Sequence, residues 1–105
     1  MFEIEQSEKD RVIKFTLKGY LNGESAEQFD KVIDKLSDVG NGIIIDCTDL
    51  SGVSGPGFEV LARLAKMTRA FKKEFRMINA SENIYYLFYV TGFTEILKIT
   101  KAGAT

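Results

Sequence analysis

The sequence predicts an α/β domain of order β-β-α-β-α-β-α-β, with a mostly parallel sheet and helices packed on it. Three observations point there. Short apolar or β-branched runs alternate with longer segments whose apolar residues recur every three or four positions. Single helices between successive strands imply right-handed crossovers. The 105 residues, 45% hydrophobic and 28% charged, suit one domain, 1–105, with one core.

Phe2 to Glu5 alternates and is expected to pair with a second strand, Arg11 to Lys18, across a polar turn, Gln6 to Asp10. Gly19-Tyr20-Leu21-Asn22-Gly23 stops that strand, because Gly and Asn tolerate turn dihedrals. Glu24 to Val39 reads as a helix whose stripe is Ala26, Phe29, Val32, Ile33 and Leu36, with Gly40 as its stop. Gly42 to Cys47 is a continuous apolar strand, the pattern of a sheet covered by helices on both faces. A loop, Thr48 to Gly55, leads into a helix from Pro56 to Lys73, with Phe58, Leu61, Leu64, Ala65, Thr68 and Phe71 inward. Phe75 to Asn79 is the next strand, Ser81 caps a helix from Glu82 to Val90, and Thr91-Gly92 ends it. Ile96 to Thr100 closes the sheet, followed by a small-residue tail, Lys101 to Thr105.

Composition removes whole classes of chemistry. With no His there is no Ser-His-Asp triad, Cys-His pair, His phosphocarrier or imidazole zinc site. One Cys, Cys47, allows no internal disulfide, CxxC pair or iron–sulfur cluster, and it reads as an inert buried thiol. A net charge of −1 argues against nucleic-acid binding, and no apolar run approaches a membrane span. The acidic start Phe2-Glu3-Ile4-Glu5 lacks the basic region of a signal peptide, so the cytoplasm is the expected compartment. No cofactor and no metal are expected, and the chain is read as not an enzyme.

Ligands of open α/β sheets bind beyond the carboxyl ends of the strands. There the chain carries Ser51-Gly52-Val53-Ser54-Gly55-Pro56-Gly57, where backbone can approach a partner and a helix N-terminus offers its N–H groups. The same loop reads as a phosphate seat or as a plain tight turn. It is not a P-loop, because no Gly-Lys-Ser/Thr follows. Asp46 stands where a receiver's phosphate-accepting aspartate would, without the second acidic cluster such a domain needs. Arg63, Lys66, Arg69 and Lys73 line one helix face, either solvated or docking an acidic partner. The helix Ile84-Tyr85-Tyr86-Leu87-Phe88-Tyr89-Val90 is apolar or aromatic all round; Ile84, Leu87, Phe88 and Thr91 are expected inward, leaving Tyr85, Tyr86 and Tyr89 for a protein contact or homo-oligomer.

Taken in order, four segments resemble the STAS domain of bacterial anti-sigma-factor antagonists and sulfate transporters. Gly19-Tyr20-Leu21-Asn22-Gly23 is similar to the family's Gly-x-Leu-Asp turn, and Ile43-Ile44-Ile45-Asp46-Cys47-Thr48-Asp49-Leu50-Ser51 to its strand plus Leu-Ser/Thr segment. Val53-Ser54-Gly55-Pro56-Gly57-Phe58 resembles its Asp-Ser-Ser/Thr-Gly-Leu signature, and Leu87 to Phe93 its ending before the last strand. The resemblance implies a bacterial signalling module that regulates transcription through protein–protein interaction. Its partner would be an anti-sigma factor, a serine kinase or another STAS protein. It also implies a phosphoacceptor before the signature glycine; aligned on Gly57, that position is Pro56, which has no hydroxyl. The domain is therefore expected to bind without the usual switch, or to take phosphate on Ser54 instead. The resemblance also implies a C-terminal helix, for which only Lys101 to Thr105 follow the last strand, so a sheet face or edge is expected to be more open. The expected contact surface is Tyr20, Asn22, Gly23 and Ser51 to Gly57, and a bulky acidic residue in place of Gly57 is expected to abolish partner binding while leaving the fold intact. The alternatives are a small-ligand or nucleotide-binding STAS module, or an accessory STAS subunit of a lipid or anion transporter.

Overall fold

A computed structural model describes residues 2–103. The end of the tail, residues 104–105, lies outside the described residues. The elements are β1 (Glu3–Lys9), β2 (Val12–Leu21), α1 (Gly23–Asp34), β3 (Gly42–Asp46), β4 (Leu50–Val53), α2 (Gly55–Ala70), β5 (Glu74–Ala80), α3 (Glu82–Val90) and β6 (Ile99–Lys101). The sheet runs β1-β2-β3-β5-β6, with β4 also on β2; every pairing is parallel except β1 with β2.

The alternation of β2 sets the architecture. Ile13, Phe15 and Leu17 point into the core, level with Ile43 and Ile45 of β3 and Phe75 and Met77 of β5. Helix residues Ala26, Phe29, Ile33, Leu61, Leu64, Ala65, Ile84 and Phe88 join them in one buried cluster, where Phe15 meets Phe29 edge-on at 5.2 Å. Lys14, Thr16, Ile44, Asp46, Arg76 and Ile78 point the other way and stay partly or wholly exposed. The helices thus cover one face of the sheet rather than both. The apolar run of β3 comes from its central place between β2 and β5, and only Ile44 of its isoleucines turns outward.

Several boundaries differ from expectation for identifiable reasons. The expected turn Gln6 to Asp10 is mostly strand: β1 runs to Lys9 as an exposed polar edge, and Asp10-Arg11 turn alone, at φ 53 and 63. Helix α1 stops at Asp34, not Val39; Leu36 already bonds Ile33 at 3.0 Å in a tighter turn, and Val39 leaves the helix to enter the core. Gly40 is a close-approach glycine instead of a helix stop, since at φ +56 a Cβ there would strike the Arg11 carbonyl.

Within the expected loop Thr48 to Gly55 lies β4, which pairs with the far end of β2 after a bulge at Gly19/Tyr20. Helix α2 begins one residue early, with Pro56 second in the helix, and ends at Ala70. Phe71, expected inward, is therefore exposed, and Val60 takes an inner position. Strand β6 is only Ile99–Lys101; before it Leu97 is buried in a turn. Helix α3 spans the expected Glu82–Val90, with Ser81 accepting from the Ile84 N–H at 3.2 Å. Thr91, expected inward, is exposed, and its hydroxyl donates to the Leu87 carbonyl at 2.9 Å.

Candidate functional site

Because β2 pairs with β3 and then β4, its end projects beyond the neighbouring strand and brings two helix starts together. A Cβ built on Gly23, first in α1, would lie 4.0 Å from Pro56 Cγ, second in α2. Both N-termini face the same edge, so their unpaired N–H groups and positive dipole ends converge there.

The turn before α1 is held rigidly. Asn22 accepts from the Ser25 N–H at 3.1 Å, while the Ser25 hydroxyl accepts from the Asn22 N–H at 2.7 Å and donates to the Tyr20 carbonyl at 2.7 Å. Asn22 is thus a cap whose side-chain oxygen is committed to its helix. Ser25, buried beneath the turn, was missed as part of this edge; the Asn-x-x-Ser spacing is the signal that finds it.

Ser54 occupies the N-cap of α2 without capping it. Its N–H donates to the Leu21 carbonyl at 3.0 Å, and its hydroxyl lies 3.5 Å from the same oxygen, too far for a strong bond. Phe58 anchors the helix start by packing on Phe88 at 4.9 Å and Phe93 at 5.2 Å.

The expected contact residues divide into an outer and an inner group. Tyr20, Gly23, Ser51, Gly55 and Pro56 are exposed, and Asn22, Gly52 and Ser54 are half-buried. Val53 and Gly57 are buried, so neither presents a side chain to a partner. A Cβ on Gly57 would collide with the Leu21 carbonyl oxygen and come 2.8 Å from Val53 Cγ1. The expectation that a bulky acidic residue at 57 leaves the fold intact is therefore wrong: this glycine lets α2 touch β2. A recess of about 350 Å³ beside Tyr20 is lined by Phe2, Asn22, Glu24 and Gln28. The wider depression of about 840 Å³ lies away from this edge, on the open sheet face between Lys14 and Arg76.

Asp46 and Cys47 prove structural. The Asp46 carboxylate accepts from the Thr48 hydroxyl at 2.6 Å, the Thr48 N–H at 3.0 Å and Asn79 Nδ2 at 3.2 Å. Burial pushes its pKa up, but these hydrogen bonds and Lys14 outweigh it and hold the carboxyl below its usual range. A carboxylate so engaged is a turn brace. Burial, helped by Asp46, pushes the Cys47 thiol up to about 12 and leaves it unreactive. The basic stripe is broken, since Arg63 pairs with Asp30 of α1 and Lys73 falls beyond α2. Tyr86 and Tyr89 are 65% and 64% exposed, whereas Tyr85 is half-buried with Lys101 Nζ 5.1 Å from its ring centre. Among the described residues no cluster of carboxylates and thiol could hold a metal, and no helix is long and apolar enough to cross a membrane.

The fold has relatives among known proteins. The STAS domain family model matches residues 3–104. A Thermotoga maritima protein described as a candidate anti-sigma factor antagonist superposes with TM-score 0.82 at 22% identity, over 91% of this chain and 84% of that one. The anti-sigma factor antagonist SpoIIAA of Bacillus, in its unphosphorylated form, gives 0.79 at 19% identity, over 100% and 89%. A sulfate transporter family protein of Wolinella succinogenes gives 0.76 at 15% identity, over 87% and 75%. At these identities the structures share a fold with the chain. No curated protein matches it significantly.

Proposed function

Because the chain belongs to the STAS domain family, we propose that it is a non-catalytic protein-interaction regulator of the anti-sigma-factor-antagonist type, one domain over 1–105. It docks its partner through Tyr20–Gly23 and Ser51–Pro56, and it is not switched by phosphorylation at the family's usual position. One observation carries this reading. Pro56 is exposed, second in α2 and beside the start of α1, so an exposed position of the shared helix edge has a ring and no hydroxyl. A phosphate would add about −1.5 to −2 charges at such an edge; without an acceptor there, docking is constitutive. Ser54 keeps its hydroxyl half-buried against β2 and remains unmodified in this reading.

The partner is a protein: an anti-sigma factor, a serine kinase or another STAS protein. Tyr86 and Tyr89 provide a second contact, through which two copies associate. In-cell photo-crosslinking tests the docking edge. A benzophenone side chain at Ser51 or Gly55 yields one discrete adduct, and the same probe at Lys66, midway along α2, yields none. Adducts only from Lys66 would move the docking surface elsewhere.

A further inference from the structure

Charge is distributed along this chain in blocks of opposite sign, which meet where Asp30 pairs with Arg63. Residues 19–30 and 46–62 contain Glu24, Glu27, Asp30, Asp46, Asp49 and Glu59 but no lysine or arginine. These two segments supply the end of β2, the start of α1, β4 and the start of α2. Three of the carboxylates are engaged: Asp30 by Arg63, Glu27 at 4.0 Å from Lys31, and Asp46 by Thr48 and Asn79. Glu24, Asp49 and Glu59 stay exposed around the edge. Glu24 lines the recess beside Tyr20, the Asp49 carbonyl accepts from Gly19 at 3.0 Å, and Glu59 follows Pro56 by one turn of α2. Lys18, the cation further back on β2, is held by Glu5 at 3.0 Å and sits in the fields of Asp49 and Glu3 too. Residues 60–73 reverse the pattern, with Arg63, Lys66, Arg69, Lys72 and Lys73 and no carboxylate. A net charge of −1 conceals this separation.

We infer that the docking edge receives a cationic protein surface, rich in arginine and lysine, and turns away nucleotides and other anions. The inference rests on the docking role proposed above and names the chemistry of its partner. Tyr20, 51% exposed and standing on Gly52, offers an aromatic face on which a guanidinium stacks. The carboxylates around it accept charge-assisted hydrogen bonds. An anion at the glycine-rich loop meets helix dipoles, but also those carboxylates, with no cation in either segment to hold it. The basic second half of α2 turns the same partner away from the other end, so encounter is oriented as well as accelerated.

Charge reversal on the crosslinking probe at Ser51 tests this directly. The variant E24K/D49K/E59K keeps a cooperative thermal transition, lowered by a few degrees because Glu24 lies in the first turn of α1, and loses the adduct by about tenfold or more, while K66E/K73E retains it. Amide NMR of the wild-type chain with millimolar ATP shows no shifts at residues 20–24 or 49–57. An adduct insensitive to E24K/D49K/E59K, or ATP shifts confined to those residues, would overturn the inference while the docking role stands. Absence of any adduct from the wild-type probe would remove the docking role and the inference together.

Discussion

The ring of Tyr20 covers Gly52, its register partner on the neighbouring strand: a Cβ built on Gly52 would stand 2.7 Å from ring Cδ1 and 2.8 Å from Cε1. The contact joins the two segments of the proposed docking edge, and it exists because position 52 has no side chain. In Gly52→Ala the exposed ring swings aside at little cost, so stability changes by less than about 1 kcal/mol. Adduct formation from Ser51 falls nonetheless. Thermal melting and crosslinking on the same preparation separate the two effects, and an unchanged adduct would show that Tyr20 is no anchor.

Gly57 behaves differently although it lies in the same loop. Its neighbour is backbone, the Leu21 carbonyl, which cannot rotate away. Gly57→Ala is expected to destabilise by about 1–3 kcal/mol through overpacking. Urea unfolding measures this, and a variant as stable as wild type would mean that α2 can move off β2 freely.

Cys47 links stability to alkaline pH. The unfolded thiol titrates near its ordinary value of 9.0 and the folded one near 12. The folded-state value is raised, so the contribution is complete below pH 9.0 and is lost as pH rises towards 12. The native chain should resist a thiol reagent at pH 8 and react at once in denaturant. Rapid labelling of the native protein would contradict the burial of Cys47.

Asp46 acts at the acid end. Its folded pKa lies below the ordinary 3.8, so its contribution is present above that value and is lost as pH falls through the lower, folded one. Asp46→Ala also strips Thr48 and Asn79 of their acceptor, and should cost about 1–3 kcal/mol at neutral pH. Chemical unfolding at pH 7 and pH 3 should show the gap between variant and wild type narrowing with acid.

Much of the architecture was legible because it is written in periodicity. The stripe Leu61, Leu64, Ala65, Thr68 located the inner face of α2, and Ser81 with Thr91-Gly92 bounded α3 to the residue. What escaped was decided by tertiary pairing. Leu50-Ser51-Gly52-Val53 has too little β-propensity to read as a strand, and becomes one because the end of β2 offers its edge. Glu5 to Lys9 looked like a turn because an exposed edge strand can be polar throughout. The candidate edge was legible as a glycine-rich loop before a helix. Gly52 and Gly57 could not be told apart there, because only the folded chain sets a movable ring against one and a carbonyl against the other.

Self-association through α3 is a separate matter. Y86S/Y89S should leave the fold unchanged and shift sedimentation from dimer to monomer, whereas a wild-type chain that sediments only as monomer would end that part of the reading.

The proposed docking edge carries no usable phosphate switch. Intact-mass and peptide mass spectrometry of the chain purified from its own cells, in both its partner-bound and unbound pools, tests this most directly. One unmodified species in both pools is the predicted result; stoichiometric phosphate on Ser54 confined to the unbound pool would contradict it.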